Sequence, residues 1–351
     1  MVRRVAFAVP GDLETPTGGF SYDRRVIAEL KNLDFAVEVI DLGDGFPAPS
    51  DAERAAALAR LERVPAGEPV IIDGLAYGAL PELSENYCRT RKVIALVHHP
   101  LALETGLAEA AARHLRTSET AALGAARHVV VTSDSTARIL VADYAVPRDR
   151  ITVAPPGMDR VTPAERKNPQ GPLKLLAVGS LVPRKGYDVL IAALAAVADV
   201  DWHLTIAGAC DRDPATATRL AAQIAACGLT PRVTLAGAVP PDRLDRLYAE
   251  ADLFVLASRF EGYGMVFAEA ISYGLPMIGT TAGAIPETIP VGVGVLVPPE
   301  DAAALAAALR RLIINPEERA RLATAARAAA DQLPTWQESA RRIAAAIEGM
   351  R

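Results

Sequence analysis

Lysine is scarce in this chain. Of 37 basic residues among 351 positions, only five are lysines (Lys31, Lys92, Lys167, Lys174 and Lys185), and the other 32 are arginines. With abundant alanine, that skew marks a GC-rich genome rather than a function, yet it makes each lysine worth following. Cysteine is scarcer still. Cys88, Cys210 and Cys227 form no C-x-x-C pair, which excludes a disulfide framework and a zinc ribbon; the expectation is reduced, buried thiols. Excess positive charge is also lacking. The net charge of −5 argues against a general nucleic-acid binder, which needs basic surface to displace counterions. No run of about 18 or more uncharged apolar residues occurs, so no membrane-spanning helix is expected. The amino-terminal MVRRVAFAVPGD is too short in its apolar part for a signal peptide, and the expected location is cytoplasmic.

What is present is apolar material in short runs. Hydrophobic residues make up 51% and charged residues 23%, which sets aside disordered and low-complexity classes. At about 100–200 residues per domain, the length predicts two domains. Val5–Val9, Ala36–Ile40, Pro69–Asp73, Lys92–Val97, His128–Thr132 and Ile151–Ala154 read as strands separated by helices. Pro155–Pro172, with its prolines and the charge cluster ERKN, reads as a linker. The alternation then restarts with strands at Leu173–Val178, Trp202–Gly208, Val233–Ala236, Leu253–Ala257 and Pro276–Gly279. The predicted fold class is α/β: two Rossmann-like, doubly wound domains in tandem, covering 1–165 and 166–333, with a ligand cleft between them. A last amphipathic helix within 334–351, Gln337–Ile347, is expected to pack back on the first domain.

Two windows suit chemistry. In Leu253–Glu287 a strand gives way to Glu261-Gly262-Tyr263-Gly264, and a helix carrying Glu269 follows. Glycines 262 and 264 allow close approach of the backbone, and the free N–H groups of the helix start favour an anion. Glu261 and Glu269 are spaced to reach different ends of one long ligand, although an acidic first turn is also ordinary helix chemistry. In Val178–Asp188 a strand-to-helix junction holds Arg184 and Lys185. A forked guanidinium and a compact ammonium there suit a diphosphate, against the simpler reading of a solvated basic turn.

Together these windows resemble the retaining glycosyltransferases of family 4, which have the GT-B fold. The family's Glu–seven residues–Glu signature is matched by Glu261 and Glu269, and its V-G-x-L-x-P-R-K-G stretch by residues 178–186. The resemblance implies that Glu269 holds a nucleotide ribose. It implies that Glu261 meets donor-sugar hydroxyls, aided by backbone N–H groups near Tyr263 and Gly264, and that Lys185 binds the diphosphate. Many members carry Arg where this chain has Ser180; Arg184 is expected to take that phosphate contact. Gly18-Gly19, after the first strand, matches a family loop beside the donor phosphate and the acceptor, or is simply a helix start. His98-His99, at a strand's carboxyl end, matches a region where a family histidine contacts the donor sugar. If the strand continues, the two face opposite ways. Glu104 and Thr105 are candidate acceptor contacts or a helix start.

The implied reaction moves a sugar from a nucleoside diphosphate sugar, UDP-sugar favoured, to a hydroxyl acceptor with retained configuration. No metal and no further cofactor are expected; Arg184 and Lys185 neutralise the leaving group. Asp211-Arg212-Asp213 resembles a metal motif of another glycosyltransferase fold but reads as helix capping. The acceptor is expected to be a small molecule rather than a lipid, because Leu101–Arg127 mixes acidic with basic residues; peripheral membrane contact stays open. Alternatives are a nucleotide-sugar epimerase of the same fold and a non-catalytic nucleotide-binding subunit. A dinucleotide oxidoreductase is disfavoured because no G-x-G-x-x-G follows the first strand.

Overall fold

A computed structural model describes residues 3–84, 87–161 and 171–350. The middle of the expected linker and the expected 165/166 boundary lie outside the described residues. The chain divides into two compact units: Met1–Gly157 with Pro334–Arg351, and Met158–Leu333.

The first unit runs β1 (Arg3–Val9), α1 (Gly18–Asn32), β2 (Phe35–Asp41), α2 (Asp51–Leu61), β3 (Pro69–Asp73), α3 (Gly74–Tyr77), α4 (Tyr87–Thr90), β4 (Lys92–Val97), α5 (Glu109–Ala125), β5 (His128–Val131), α6 (Asp134–Asp143) and β6 (Ile151–Val153). The sheet order is β2-β1-β3-β4-β5-β6, and every pairing is parallel. Val5–Val9 and Val93–Val97 are buried throughout. Runs that are apolar at every position, not every second one, need helices on both faces, as a parallel sheet provides.

Helix α1 begins earlier than its apolar pattern predicts. Its start lies at Gly18, because Thr17 caps it by accepting from the Phe20 N–H at 3.1 Å. Gly18 and Gly19 therefore lie in the first helical turn rather than in a loop. The strand β4 stops at Val97, so alternation along a strand does not govern His98 and His99.

The second unit runs β7 (Leu173–Val178), α7 (Tyr187–Ala195), β8 (Trp202–Ala207), α8 (Pro214–Ala226), β9 (Val233–Gly237), α9 (Pro241–Glu250), β10 (Leu253–Val255), α10 (Met265–Ser272), β11 (Met277–Thr280), α11 (Ile285–Thr288), β12 (Gly294–Val297), α12 (Ala302–Ile314) and α13 (Pro316–Ala330). Its parallel sheet has the order β12-β11-β10-β7-β8-β9. The strand β12 has no counterpart in the sequence reading; Gly292, Gly294 and the flanking prolines make it look like loop. Helix α10 ends as Gly274 suggests. Gly274, at φ +65°, donates to Ile271 O, and Leu275 donates to Ala270 O, which closes the helix with a left-handed residue.

The last helix, α14 (Trp336–Gly349), belongs to the first unit. Trp336 stands edge-on to Tyr22 with ring centroids 5.9 Å apart, and Ile343 and Ile347 are buried. A Cβ on Gly157 would lie 2.0 Å from the Trp336 nitrogen, so only glycine lets the chain pass there. Of the thiols, Cys88 and Cys210 are half-buried, but Cys227 is exposed at the end of α8, against the expectation of burial.

Candidate active site

In the second unit, the basic turn and the acidic loop meet. After β7, Gly179 takes φ +146° and a short 3-10 turn, Pro183–Lys185, leads into Gly186 at φ +64° and then α7. A Cβ on Gly186 would lie 2.0 Å from the Ala257 carbonyl oxygen. The missing side chain thus lets the turn press against the loop after β10, which carries Glu261.

The contact is ionic and dry. Lys185 Nζ donates to Glu261 Oε1 at 2.8 Å, and Arg184 donates to Glu261 Oε2 at 3.0 Å. Ser258 Oγ adds a hydrogen bond to Oε1 at 2.7 Å. Glu261 and Lys185 are only 6% and 9% exposed. Burial alone would raise the Glu261 carboxyl, but Lys185 and Arg184 outweigh it and hold it down at about 2. Burial lowers Lys185, opposed by Glu261. Three of the roughly four acceptor positions of the carboxylate are filled, which leaves room for one more donor.

Glu269 lies about one turn into α10 and accepts from the Tyr248 hydroxyl at 2.6 Å; burial pushes its carboxyl up. Gly264, at φ +88°, is the N-cap of α10 and supplies no side-chain cap. The loop after β11 wraps the same place: Ala284 N–H donates to Glu261 O at 2.9 Å, and a Cβ on Gly283 would lie 2.3 Å from that oxygen.

Sequence reasoning did not single out Arg259. Its guanidinium forks onto both Asp188 carboxylate oxygens at 2.9 and 2.8 Å, bonds Glu300, and reaches Pro183 O at 2.5 Å. Its own N–H donates to Arg184 O at 2.8 Å. Arg259 therefore laces the basic turn to the acidic loop. Asp213, from the rejected metal motif, caps α8 with both oxygens, on Thr216 N at 2.9 Å and Thr216 Oγ1 at 2.7 Å.

In the first unit, His98 and His99 part company. His98 Nε2 lies 3.2 Å from Asp23 Oδ1 and 3.3 Å from Asp73 Oδ2. His99 Nε2 lies 3.3 Å from Glu104 Oε2, so that glutamate is engaged by the histidine. Gly19 faces His98: a Cβ on it would lie 3.4 Å from His98 Cδ2. Asp23, inside α1, and Asp73, at the end of β3, carry no motif that a sequence search would flag.

The family model described as glycosyl transferases group 1 matches residues 159–329, and the model for glycosyltransferase family 4 matches residues 85–162. A mannosylfructose-phosphate synthase of Agrobacterium fabrum is 29% identical over 63% of this chain and 52% of its own length. A D-inositol 3-phosphate glycosyltransferase of Catenulispora acidiphila is 33% identical over 66% of this chain and 60% of its own length. The chain thus spans about half to two thirds of the curated relatives it matches. Among solved structures, a sucrose-phosphate synthase from Thermosynechococcus elongatus superposes with a TM-score of 0.83 at 21% identity, covering 99% of this chain and 98% of that one. Anabaena HepE, solved with UDP and glucose, gives 0.78 at 20% identity over 98% and 99%.

The two parallel units define the class: the two-domain α/β fold of the GT-B glycosyltransferases. Within that class, adjacent stretches of the chain match the models for glycosyl transferases group 1 and for glycosyltransferase family 4.

Proposed function

We propose that this protein moves a sugar from a nucleoside diphosphate sugar, with UDP-sugar favoured, to the hydroxyl of a small-molecule acceptor, retaining the anomeric configuration. The observation that carries this reading is the buried Glu261–Lys185–Arg184 cluster beside the uncapped start of α10. After bonding Glu261 through one hydrogen, the Lys185 ammonium still has two N–H donors. Those donors suit the leaving diphosphate, and Glu261 keeps both cations charged and aimed. The remaining acceptor position of Glu261 suits one donor-sugar hydroxyl, and the second oxygen of Glu269 suits a ribose hydroxyl. Arg184 fills the phosphate role that Ser180 cannot.

In the reaction the bond from the anomeric carbon to the leaving phosphate breaks, and the acceptor oxygen bonds to the same face. The acceptor proton passes to the departing phosphate. Positive charge fixed at the phosphate stabilises this transition state without a metal. Relatives named for mannosylfructose phosphate, sucrose phosphate and D-inositol 3-phosphate support a small polar acceptor.

A thermal-shift panel of UDP, GDP, ADP and their sugars, followed by a transfer assay with and without EDTA, tests the reading. UDP and a UDP-sugar should stabilise the protein, and turnover should survive EDTA. Stabilisation by none of the nucleotides would sink the reading. Nucleotide release without any acceptor would point to the epimerase alternative.

A further inference from the structure

The first unit contains a second buried charge cluster, built from three elements. Asp23 comes from α1, Asp73 from the end of β3, and His98 from the residue after β4. The two carboxylates are 0% and 3% exposed, and the three side chains bring ligating atoms within 4.8 Å of one another. One ring nitrogen, His98 Nε2, faces an oxygen of each aspartate at 3.2 and 3.3 Å. An unprotonated Nε2 would set its lone pair against both oxygens, so this nitrogen carries a hydrogen. Asp23 Oδ2 is buried without a hydrogen-bond partner, and Asp73 Oδ1 is already used by the Leu75 N–H at 2.7 Å.

A neutral ring would leave two buried carboxylates side by side with no cation beside them, which is costly. A charged ring offsets one of them. The other groups facing His98 do not change the balance. Tyr22 of α1 presents its ring edge at 5.3 Å and gives its hydroxyl hydrogen to Ala154 O. After β5, Thr132 Oγ1 donates to the His98 carbonyl. Burial works against the charge on His98, but Asp23 and Asp73 outweigh it and push the ring up; burial in turn pushes Asp23 up to about 7, opposed by His98.

We propose that Asp23 and Asp73 are positioning residues that hold His98 as an imidazolium, so that it serves the transfer reaction as a fixed hydrogen-bond donor and never as a base. An imidazolium has no lone pair to accept a proton. Both carboxylates meet Nε2, so the Nδ1–H is the working donor, suited to a sugar hydroxyl or a phosphate oxygen. The acceptor proton must then leave by another route, which is the departing phosphate. The link to sugar transfer rests on the function proposed above; the state of the ring does not.

Nitrogen-15 NMR of the histidine-labelled full chain tests this without any ligand, with His98 assigned by loss of its signals in His98→Gln. Both ring nitrogens should stay protonated from pH 6 to above pH 8. Asp23→Asn and Asp73→Asn should each lower the titration midpoint by about one pH unit or more, a tenfold change in the proton equilibrium. With UDP-glucose as probe, both variants should lose kcat, most at alkaline pH, with KM little changed. A ring that is neutral at pH 7 in the wild type overturns the proposal. So does a midpoint unmoved by either substitution, or a stoichiometric shift of the Nε2 signal by zinc chloride, which would put a cation where the proton is placed. Should an asparagine variant fail to fold, the wild-type titration still decides. Failure to turn over any nucleotide sugar would count against the proposed reaction and leave the clamp standing.

Discussion

At the scale of single residues, the energetics centre on Lys185 and Glu261. Removing one partner of a buried ion pair leaves a charge uncompensated, at a cost of about 3–5 kcal/mol. Lys185→Ala should therefore lower the stability of the second unit by about that much, less what Arg184 and Ser258 recover. It should also depress turnover by roughly 10²–10³-fold, as loss of one preorganised charge donor does. Urea denaturation and steady-state rates check the two effects separately; unchanged rates would show that the ammonium never meets the reacting phosphate. Because Glu261 is held at about 2, its stabilisation is present above the ordinary glutamate range and is lost only as pH falls through about 2. Glu261 should thus contribute no step to a pH–rate profile near neutrality.

Glu119 behaves in the opposite sense. It accepts from the Leu101 N–H at 3.0 Å, and burial pushes its carboxyl up to about 8. A raised carboxyl gives stability that is full below the unfolded value near 4.5 and fades as pH rises through about 8. Glu119→Gln should flatten that part of the decline. Denaturation midpoints at pH 5 and 8.5 should differ more in the wild type than in the variant. Equal differences would mean that Glu119 ionises normally.

At the scale of elements, the site depends on two strand-to-helix turns touching. Gly186→Ala puts a Cβ 2.0 Å from Ala257 O at φ +64°. The backbone conformation alone costs about 1–2 kcal/mol, and the clash forces the turn off the acidic loop. Expected outcomes are a lower melting temperature and weakened UDP stabilisation; full retention of both would show that the close approach is dispensable. Part of this was legible beforehand. The strand–turn–helix order placed both windows at strand ends, and the glycines marked them as loops that approach something closely. The pairing of Lys185 with Glu261, 76 positions apart, was not legible, because spacing along a chain carries no sign of which turns meet. The strand β12 was missed because glycine and proline obscure a strand whose identity comes from its neighbour β11.

At the scale of the whole molecule, the chain returns to its first unit at the end. Trp336, 7% exposed, packs on Tyr22 and beneath Arg25, whose guanidinium lies 5.1 Å from its ring centroid. Trp336→Ala should cost about 3–5 kcal/mol, as for other buried aromatics. Calorimetry should show the loss in the transition that UDP does not raise, because Arg184, Lys185, Glu261 and Glu269, proposed to hold the nucleotide, all belong to the second unit. A fall confined to the UDP-sensitive transition would refute that division.

By itself the sequence determined the periodic skeleton: apolar runs, helical caps, glycine-rich turns, and the two glutamates and basic pair at fixed places along it. Those are local properties, set by steric and hydrogen-bonding preferences of neighbouring residues. Only the tertiary structure decided which charges neutralise one another. It gave Lys185, conspicuous as one of five lysines, a buried partner in Glu261. It also gave Asp23 and Asp73, unremarked in the sequence, a shared histidine. The reason is physical: a buried charge takes its energy from the few ångströms around it, and folding alone brings those ångströms together.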